Sequence, residues 1–333
     1  MARLRIATFN VESLGEHSRH SAPLAARIAI LRPQFLSLDA DIACLQEVDA
    51  ESLQGGGRAL LALDELLAGS QYEGYFRAHS RSAHGDFPTD RHNLVVLSRF
   101  PIENIELCHH SLLRPLSYTP VTTSAGGTIE ARFDRPLLHC EISLPNGHLL
   151  HVINLHLKAP LAAAIPGQKR SALVWNTTAG WAEGFFVAAM KRAGQALEAR
   201  LLVDRILDRE PEALIAVCGD FNADSWEVPV RILLGETEET NNAALLSRSL
   251  VALERQVPEP RRYSVLHAGR PVMLDHILAS RSLAALLSEA ELFNEALTDE
   301  VLSHPEQRCP AESFHAPLCA EFDFSRFAGA SWA

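Results

Sequence analysis

The chain has 333 residues, of which 47% are hydrophobic, so it is long enough to bury a large core. It carries 30 basic and 41 acidic residues, a net charge of −11, without a run of lysines and arginines. Because proteins that bind long nucleic acid neutralise its phosphates with basic side chains, we expect weak binding to long duplex DNA. No apolar stretch reaches the roughly 20 residues that a membrane-spanning helix needs.

No linker, low-complexity tract or internal repeat divides the chain, so we expect a single domain over residues 1–333, with a tail over 325–333. The N-terminal residues lack the apolar core of a signal peptide. The six cysteines show no metal-type spacing, and three of them lie in apolar runs, as reduced buried thiols do. We therefore expect a cytoplasmic, reduced protein, and a monomer.

The predicted strands share one feature, a polar side chain at or near the end of an apolar run. In chain order, residues 4–9 precede Asn10 and Glu12, residues 42–46 precede Glu47, residues 149–157 contain Asn154 and His156 and precede Lys158, residues 213–218 precede Asp220 and Asn222, residues 272–278 contain Asp275, and His315 precedes a last apolar strand. Carboxylate, amide and imidazole groups repeated in this way indicate a phosphoester site with a hard metal ion.

Asp220 and Asn222 form the most informative pair. Side chains of an extended segment alternate, so both are expected on the same side. A carboxylate fixed beside an amide can take a proton from water while the amide holds a phosphate oxygen. A polar turn at the end of a strand is the non-functional alternative. A calcium loop of the EF-hand type, suggested by Asp220, Asn222 and Asp224, is excluded because Ser225 occupies the glycine position and Arg231 the glutamate position.

Two helices are predicted between these strands. Residues 58–68 have leucines at helical spacing and stop before Gly69, and residues 183–210 repeat apolar residues and stop before Pro211. Helices that alternate with apolar strands predict an α/β layered fold. An insertion over about residues 159–184 follows the His156 strand, so it is expected near the site.

Seven segments in this order resemble motifs of the endonuclease/exonuclease/phosphatase superfamily: residues 8–11, 45–48, 96–102, 154–158, 219–222, 274–278 and 313–317. They span nearly the whole chain. The resemblance implies two packed mixed β-sheets flanked by helices, a four-layer α/β sandwich. It also implies a divalent-metal-dependent phosphoesterase that cleaves a phosphodiester or phosphomonoester by direct attack of an activated water.

The resemblance assigns a role to each polar position. Glu47 is the main metal ligand, with Asn10 and Glu12 beside it, although Glu12 is equally read as an ordinary loop acid. The implied cofactor is Mg²⁺, or Mn²⁺ or another divalent cation. The implied catalytic residues are Asp220 and Asn222, which activate the water, His156 and His315, which hold the phosphoryl oxygens, and Asp275, which orients His315. Asn154, Lys158 and Arg135 are predicted to contact substrate, and His276, on the opposite face from Asp275, is predicted to pack in the core.

One departure from the family pattern concerns the last motif, which usually reads Ser-Asp-His and here has Phe314 in place of the aspartate. We expect weaker metal binding or a changed metal preference, and a catalytically silent binding protein becomes an alternative. The expected substrate is a small phosphoester or a short nucleic acid. A structure-specific endonuclease or exonuclease is the second interpretation.

Overall fold

Strands and helices alternate along the chain in the computed structural model, which describes residues 3–15, 22–81, 85–123, 127–145, 147–302 and 311–325. The strands are β1 (Arg3–Leu14), β2 (Ile42–Val48), β3 (Glu51–Ser52), β4 (Arg58–Ala59), β5 (Phe76–His79), β6 (Asn93–Ser98), β7 (Ile102–Cys108), β8 (Leu116–Tyr118), β9 (Ile129–Ala131), β10 (Leu137–Ser143), β11 (Leu149–His156), β12 (Leu214–Asp220), β13 (Val251–Ala252), β14 (Val265–His267), β15 (Arg270–Val272), β16 (Asp275–Ala279), β17 (Leu287–Leu292) and β18 (Leu318–Asp323). The helices are α1 (Leu24–Ser37), α2 (Leu61–Leu67), α3 (Thr178–Arg209), α4 (Val228–Leu234) and α5 (Arg281–Ala284).

Two large mixed sheets organise the described residues, with six strands each. The first sheet has the order β17-β18-β1-β2-β6-β5, and the second has the order β13-β16-β12-β11-β10-β7. The central pairs, β1 with β2 and β11 with β12, are parallel, and the outer pairs of each sheet are antiparallel. The carboxyl ends of the parallel strands lie at one edge of the two-sheet sandwich. The polar residues of the sequence motifs lie at this edge.

The core lies between the sheets and is built by alternation along the strands. Ile6 and Cys44 of the first sheet and Val152 and Cys218 of the second belong to one buried cluster. The opposite faces of the sheets are covered by helices: α1 and α2 pack on the first sheet, and α3 and α4 on the second. This four-layer arrangement confirms the predicted fold class.

The helix boundaries differ from the predicted ones at their N-terminal ends. Residues 58–59 form β4, which pairs with β3, so the helix predicted from residue 58 begins only at Leu61. The helix predicted from residue 183 begins at Thr178, where the side chain of Thr177 accepts a hydrogen bond from the Gly180 amide. The irregular insertion is therefore shorter than predicted and ends at Thr177.

Two strand predictions also need correction. Residues 272–278 do not form one strand, because β15 pairs with β14 in a separate hairpin and β16 begins at Asp275. The strand predicted to stop at residue 218 continues to Asp220, whose register partners are His156 and Asp275. Asp220 is thus placed by a central strand of the second sheet rather than by a loop.

Five cysteines of the described residues, at positions 44, 108, 140, 218 and 319, are buried and free of disulfides. Cys309 lies outside the described residues, as does the predicted tail after residue 325. No described helix is long and apolar enough to cross a membrane.

Gly219 is required by close contact between β11 and β12. Its φ is +146°, and a Cβ atom built there would lie 1.9 Å from the carbonyl oxygen of Leu155. We expect Gly219→Ala to lower the free energy of unfolding by about 3 kcal/mol, because both the backbone conformation and the contact are unfavourable. Urea unfolding measures the change, with Gly74→Ala as the control, since no atom lies within 4 Å of a Cβ at Gly74. Equal losses in the two variants would contradict this account.

Candidate active site

Polar residues from both sheets meet at one edge of the sandwich. Asn10 and Glu47 come from β1 and β2 of the first sheet, and His156, Asp220 and Asp275 from β11, β12 and β16 of the second. Together with His315, which precedes β18, these residues form two groups whose ligand atoms lie within 4.8 Å of one another: Glu47, His156 and Asp220, and Asp220, Asp275 and His315. The strand-end residues singled out in the sequence are therefore brought together, with Asp220 at their centre.

Unusual backbone conformations turn several side chains toward this edge. Glu12, Ser13, Glu47, His92 and Asn222 all have a positive φ, between 48° and 61°. The pairing of β1 with β2 is irregular around Glu12 and Ser13, and the pairing of β2 with β6 is irregular around Glu47. A positive φ is unfavourable for residues other than glycine, and such conformations cluster at functional sites.

Glu47 is surrounded by hydrogen-bond donors. Its Oε1 atom accepts from Asn10 Nδ2 at 3.3 Å and lies 3.7 Å from His156 Nε2, and its Oε2 atom accepts from Ser13 Oγ at 3.2 Å. His92 Nδ1 lies 3.2 Å from the same Oε2 atom. Burial alone would raise the pKa of Glu47, but the contact with His92 and the neighbouring histidines hold it well below its usual range. Glu47 is therefore a carboxylate at neutral pH.

A cavity of about 210 Å³ opens beside Glu47 and suits a hydrated cation. It is lined by Glu12, Ser13, Arg27, Glu47, Glu300, Phe314 and His315. Burial, and less strongly the charge of Glu47, raise the pKa of Glu12. Two close carboxylates facing one cavity fit a hard divalent ion such as Mg²⁺, which takes one or two carboxylates and keeps several waters.

Phe314 forms part of the same cavity wall. Its side chain is buried, and its backbone amide donates to Glu12 Oε2 at 2.8 Å. The position at which family members carry an aspartate therefore lies next to a candidate metal ligand, and here it contributes an apolar surface.

Asn10 lies beside the candidate metal ligand Glu47, and its own role as a metal ligand stays a prediction. Its Oδ1 atom accepts from the backbone amide of Glu12 at 2.9 Å, and this contact fixes the amide orientation. Its Nδ2 atom donates to Glu47 Oε1 and, at 3.0 Å, to Asp220 Oδ2. Asn10 thus holds the two carboxylates in place, and its Oδ1 atom accepts one backbone hydrogen bond.

Asp220 is buried and fixed by amides. The backbone amide of Asn222 donates to Oδ1 at 2.8 Å, and the side-chain amide of Asn222 donates to Oδ2 at 3.3 Å. Burial raises the pKa of Asp220 to about 7, with a further contribution from the charge of Asp275, although His315 opposes the shift. A carboxyl group with a pKa near neutrality is suited to general base catalysis.

His315 is paired with Asp275. Its Nδ1 atom lies 2.8 Å from Asp275 Oδ2, and its Nε2 atom lies 4.0 Å from Asp220 Oδ2. Burial by itself would lower the pKa of His315, but the charges of Asp275 and Asp220 and the hydrogen bond to Asp275 raise it well above its usual range. His315 is therefore an imidazolium at neutral pH, with Nε2–H available on the side of the site.

His156 has the opposite electrostatic character. It is buried, and its Nε2 atom lies 3.4 Å from Asp220 Oδ2. Burial, followed by the charge of Arg135, lowers the pKa of His156 well below its usual value. The site therefore combines one neutral and one charged histidine beside Asp220.

The predicted substrate contact of Asn154 is wrong. Its side chain is fully buried and donates to the carbonyl oxygens of Leu45 and Val95, at 3.0 and 2.9 Å. Its Oδ1 atom accepts from Gln46 Nε2 at 2.8 Å. Asn154 therefore joins the second sheet to the first, and no part of it reaches solvent.

Arg135 and Lys158 lie at the flank of the site. Arg135 Nη1 is 3.5 Å from the carbonyl oxygen of His156, and Lys158 Nζ is 3.4 Å from Asp134 Oδ2. Lys191 contacts the other oxygen of Asp134 at 3.0 Å. Their contact with substrate stays a prediction, and so do the roles of the catalytic residues.

His92 and Ser13 reach Glu47 although sequence analysis did not identify them. His92 precedes β6, whose first residue, Asn93, pairs with Val48 at the end of β2. A polar residue that directly precedes a strand can indicate a site residue when that strand runs antiparallel to a strand of the site. His92 could be identified in this way only if the pairing of β6 with β2 were already known. His276, in contrast, is buried between Glu254 and the carbonyl of Ala223, as predicted.

Comparison with known proteins agrees with this geometry. A sequence model described as the endonuclease/exonuclease/phosphatase family matches residues 7–299. No curated protein matches the chain in sequence. Among solved structures, truncated TDP2 from Caenorhabditis elegans is 15% identical, with 96% of this chain and 97% of that chain covered and a TM-score of 0.54.

Two further structures have the same fold. An AP endonuclease from Archaeoglobus fulgidus is 18% identical, with 96% of this chain and 99% of that one covered and a TM-score of 0.53. The 3′ phosphatase NExo from Neisseria, bound to a product DNA hairpin, is 19% identical, with coverages of 96% and 100% and a TM-score of 0.51. At these identities the similarity establishes the fold alone.

Proposed function

Because the chain belongs to the endonuclease/exonuclease/phosphatase family, we propose that it is a divalent-metal-dependent phosphoesterase in which Asp220 activates the attacking water. The observation that carries the proposal is the position of the Asp220 carboxylate, between the amides of Asn10 and Asn222 and the imidazoles of His156 and His315. A buried carboxylate held by amides and flanked by two imidazoles suits proton abstraction beside a stabilised anion.

Glu47 and Glu12 would hold the cation, since their carboxylates face the same cavity. A bound divalent ion supplies positive charge that neutralises the phosphate oxygens. Asn10 and Ser13 support this role by fixing the carboxylate of Glu47.

The other catalytic roles would belong to Asp220, Asn222, His315 and His156. Asp220 takes a proton from water, and Asn222 prevents its carboxylate from rotating. His315 directs Nε2–H toward the site because Nδ1 is engaged by Asp275, so it can donate to a phosphoryl oxygen that gains charge. His156, neutral and buried, offers a second imidazole contact on the other side of Asp220.

The substrate we propose is a small phosphoester or a short nucleic acid. Three basic residues lie at the flank of the site: Lys158 and Lys191 both contact Asp134, and Arg135 lies 3.5 Å from the carbonyl oxygen of His156. This local concentration contrasts with the net charge of −11 and favours an anionic substrate longer than one phosphate. It also supports the second candidate, a structure-specific nuclease, as does the AP endonuclease activity named for one of the similar structures.

The proposal is tested by hydrolysis of phosphomonoester, phosphodiester, single-stranded and gapped duplex substrates, each with Mg²⁺, Mn²⁺ or EDTA. We expect metal-dependent turnover that EDTA abolishes. Cleavage of only one of the two nucleic-acid substrates, single-stranded or gapped duplex, would favour the structure-specific nuclease. An inactive protein that still binds a substrate analogue would establish the silent binding protein suggested by Phe314.

Glu47→Gln is expected to raise the Mg²⁺ concentration for half-maximal activity by about tenfold or more, because a neutral amide is a poor ligand for a hard cation. The side chains have the same shape, so the fold should persist. A magnesium titration of turnover measures the change, with Glu51→Gln as a control on a nearby acid that binds the Leu61 amide instead. An unchanged titration would remove Glu47 from the metal site.

Phe314→Asp is expected to increase Mg²⁺ affinity several-fold, because it adds a carboxylate to the wall that Glu12 and Glu47 already line. The attraction of unlike charges about 4 Å apart is roughly 4 kcal/mol at an effective dielectric near 20, and desolvation offsets part of it. A metal titration and a thermal melt of the variant check this. A lower melting temperature with unchanged metal dependence would make Phe314 purely structural.

A further inference from the structure

A second cluster of metal-ligating side chains lies on the outer face of the second sheet, beneath α3. His139 and Glu141 belong to β10, and His151 belongs to β11. Alternation places all three on the face that packs against α3, because Leu138, Cys140 and other even-numbered neighbours face the first sheet. Register places Glu141 opposite His151, with His139 diagonally adjacent.

This cluster is separate from the active site. His156 follows His151 by five residues on β11, which corresponds to roughly 17 Å along a strand. Its side chain also points to the opposite face, toward the first sheet, where it meets Glu47. A ligand at one site therefore makes no direct contact with a ligand at the other.

The distances within the cluster fit a single small cation. His139 Nε2 and His151 Nδ1 are 3.0 Å apart, and His151 Nδ1 is 4.0 Å from Glu141 Oε1. The three ligand atoms lie within 4.8 Å of one another. Two nitrogen ligands about 2.05 Å from a tetrahedral ion are about 3.3 Å apart, so small side-chain adjustments would complete the coordination.

Neighbouring residues provide the support that metal-bound histidines need. The second nitrogen of His139, Nδ1, lies 3.4 Å from Glu106 Oε2 on β7. Arg205 of α3 donates to the same oxygen at 2.5 Å and holds the carboxylate in place. A histidine whose other ring nitrogen donates to a fixed carboxylate is a typical metal ligand, because the carboxylate sets the tautomer and increases the basicity of the ring.

The cluster also faces open space. A cavity of about 370 Å³ lies above it, and its wall includes Asn104, Arg205, Arg209 and Glu210. Three protein ligands next to a cavity leave a fourth coordination position for water. The buried histidines therefore remain accessible to an ion that enters from solvent.

We propose that His139, His151 and Glu141 form a second metal site that binds a divalent transition-metal ion of the Zn²⁺ type. Two imidazoles with one carboxylate suit Zn²⁺, Co²⁺ or Ni²⁺ and do not suit Mg²⁺, which prefers oxygen ligands. The ion would link β10 to β11. Glu106, which touches His139 and not the ion, is a positioning residue.

The test uses the full chain stripped with EDTA and kept in excess Mg²⁺, titrated with Co²⁺ and then with Zn²⁺. We expect visible Co²⁺ absorption typical of nitrogen and oxygen ligands, and displacement of Co²⁺ by Zn²⁺. Competition with a chromophoric chelator gives the affinity and the number of equivalents bound. A melt with and without Zn²⁺ should show a higher melting temperature with the ion, because it binds only the folded chain.

Variants separate this site from the active site. Glu141→Gln and His151→Asn should each lower the affinity for one equivalent of Zn²⁺ by about 100-fold or more. Glu106→Gln should lower the same affinity by about 10- to 100-fold. His267→Gln, which alters an exposed histidine paired with Glu300, is the matched control and should bind as the wild type does. Glu141 is partly exposed, so its variant should melt normally in EDTA and verify folding.

Two results would overturn the proposal. Wild-type protein that binds no Zn²⁺ beyond the active site would mean that His139 and His151 only share a hydrogen bond. Equal affinity in the wild type, Glu141→Gln and His151→Asn would place the ion elsewhere. Phosphoester hydrolysis in Mg²⁺ should be unchanged in Glu141→Gln, so the result does not depend on the proposed activity.

Discussion

Asp220→Asn is expected to lower kcat by about 10²- to 10⁴-fold, because it removes the group that takes the proton from water. The substitution keeps the shape of the side chain, and Asn10 and Asn222 remain as neighbours. The variant should therefore fold and bind metal, and its defect should appear in kcat rather than in KM. Steady-state kinetics with a saturating divalent ion measure this.

Asp224→Asn is the matched control, since Asp224 lies four residues further along the same segment and accepts a hydrogen bond from the Ser225 amide. It should retain activity within a few fold. The pH profile adds a second measurement. A base must be deprotonated, so wild-type activity should rise as pH increases through the Asp220 pKa of about 7, and this limb should disappear in Asp220→Asn. Near-wild-type turnover in Asp220→Asn would show that another group is the base.

The candidate site was largely predictable because strand ends determine where side chains meet. Glu47 and Asp220 follow apolar runs in the sequence, His156 lies near the end of another predicted strand, and parallel strands bring their carboxyl ends to one edge. The order of the motifs then supplied the partners from distant parts of the chain, as with His315 and Asp275. Local pattern and family resemblance agreed at these positions.

The site residues that were wrongly predicted or missed make contacts that depend on how the strands pair. Asn154 lies on the same face of β11 as His156. At the position of Asn154, however, this face packs against Gln46 and Leu45 of the first sheet, so the side chain does not reach the site. His92 and Ser13 reach Glu47 only because left-handed residues interrupt the pairing of β1, β2 and β6. Such interruptions leave no periodicity in the sequence.

Asp220 and Asn222 lie close together for a reason other than the predicted one. Alternation along an extended segment predicted that both side chains lie on one side, yet β12 ends at Asp220 and Asn222 has a φ of 48°. The two residues still meet, because the left-handed turn folds the Asn222 amides back onto the carboxylate. The predicted proximity is found, but a turn rather than strand alternation produces it.

His315→Ala is the second large effect, with an expected loss of about 10²- to 10³-fold in kcat, because it removes a charged donor from the developing phosphoryl anion. Its side chain is only partly exposed and its main partner is Asp275, so a thermal melt must accompany the kinetics. Retained activity with intact folding would exclude His315 from catalysis.

Asp275→Asn tests whether catalysis requires the positive charge of His315 or only its imidazole ring. The asparagine Oδ1 atom can still accept from His315 Nδ1, so the ring stays oriented while the negative charge is lost. Because Asp275 contributes most to raising the pKa of His315, the variant should lower that pKa. An acidic group that must stay protonated loses function as pH rises through its pKa, so the alkaline limb of activity should move to lower pH.

The structural cost of Asp275→Asn has to be separated from this effect. Asp275 is fully buried, and its Oδ1 atom has no hydrogen-bond partner among the described residues, so the substitution puts a donor where an unpaired acceptor stood. An unpaired buried donor costs about 1–3 kcal/mol, which should appear as a lower melting temperature. Below the shifted limb, the folded variant should regain much of the wild-type activity. An alkaline limb at the same pH in both proteins would show that imidazolium at His315 is not the form that stabilises the phosphoryl anion.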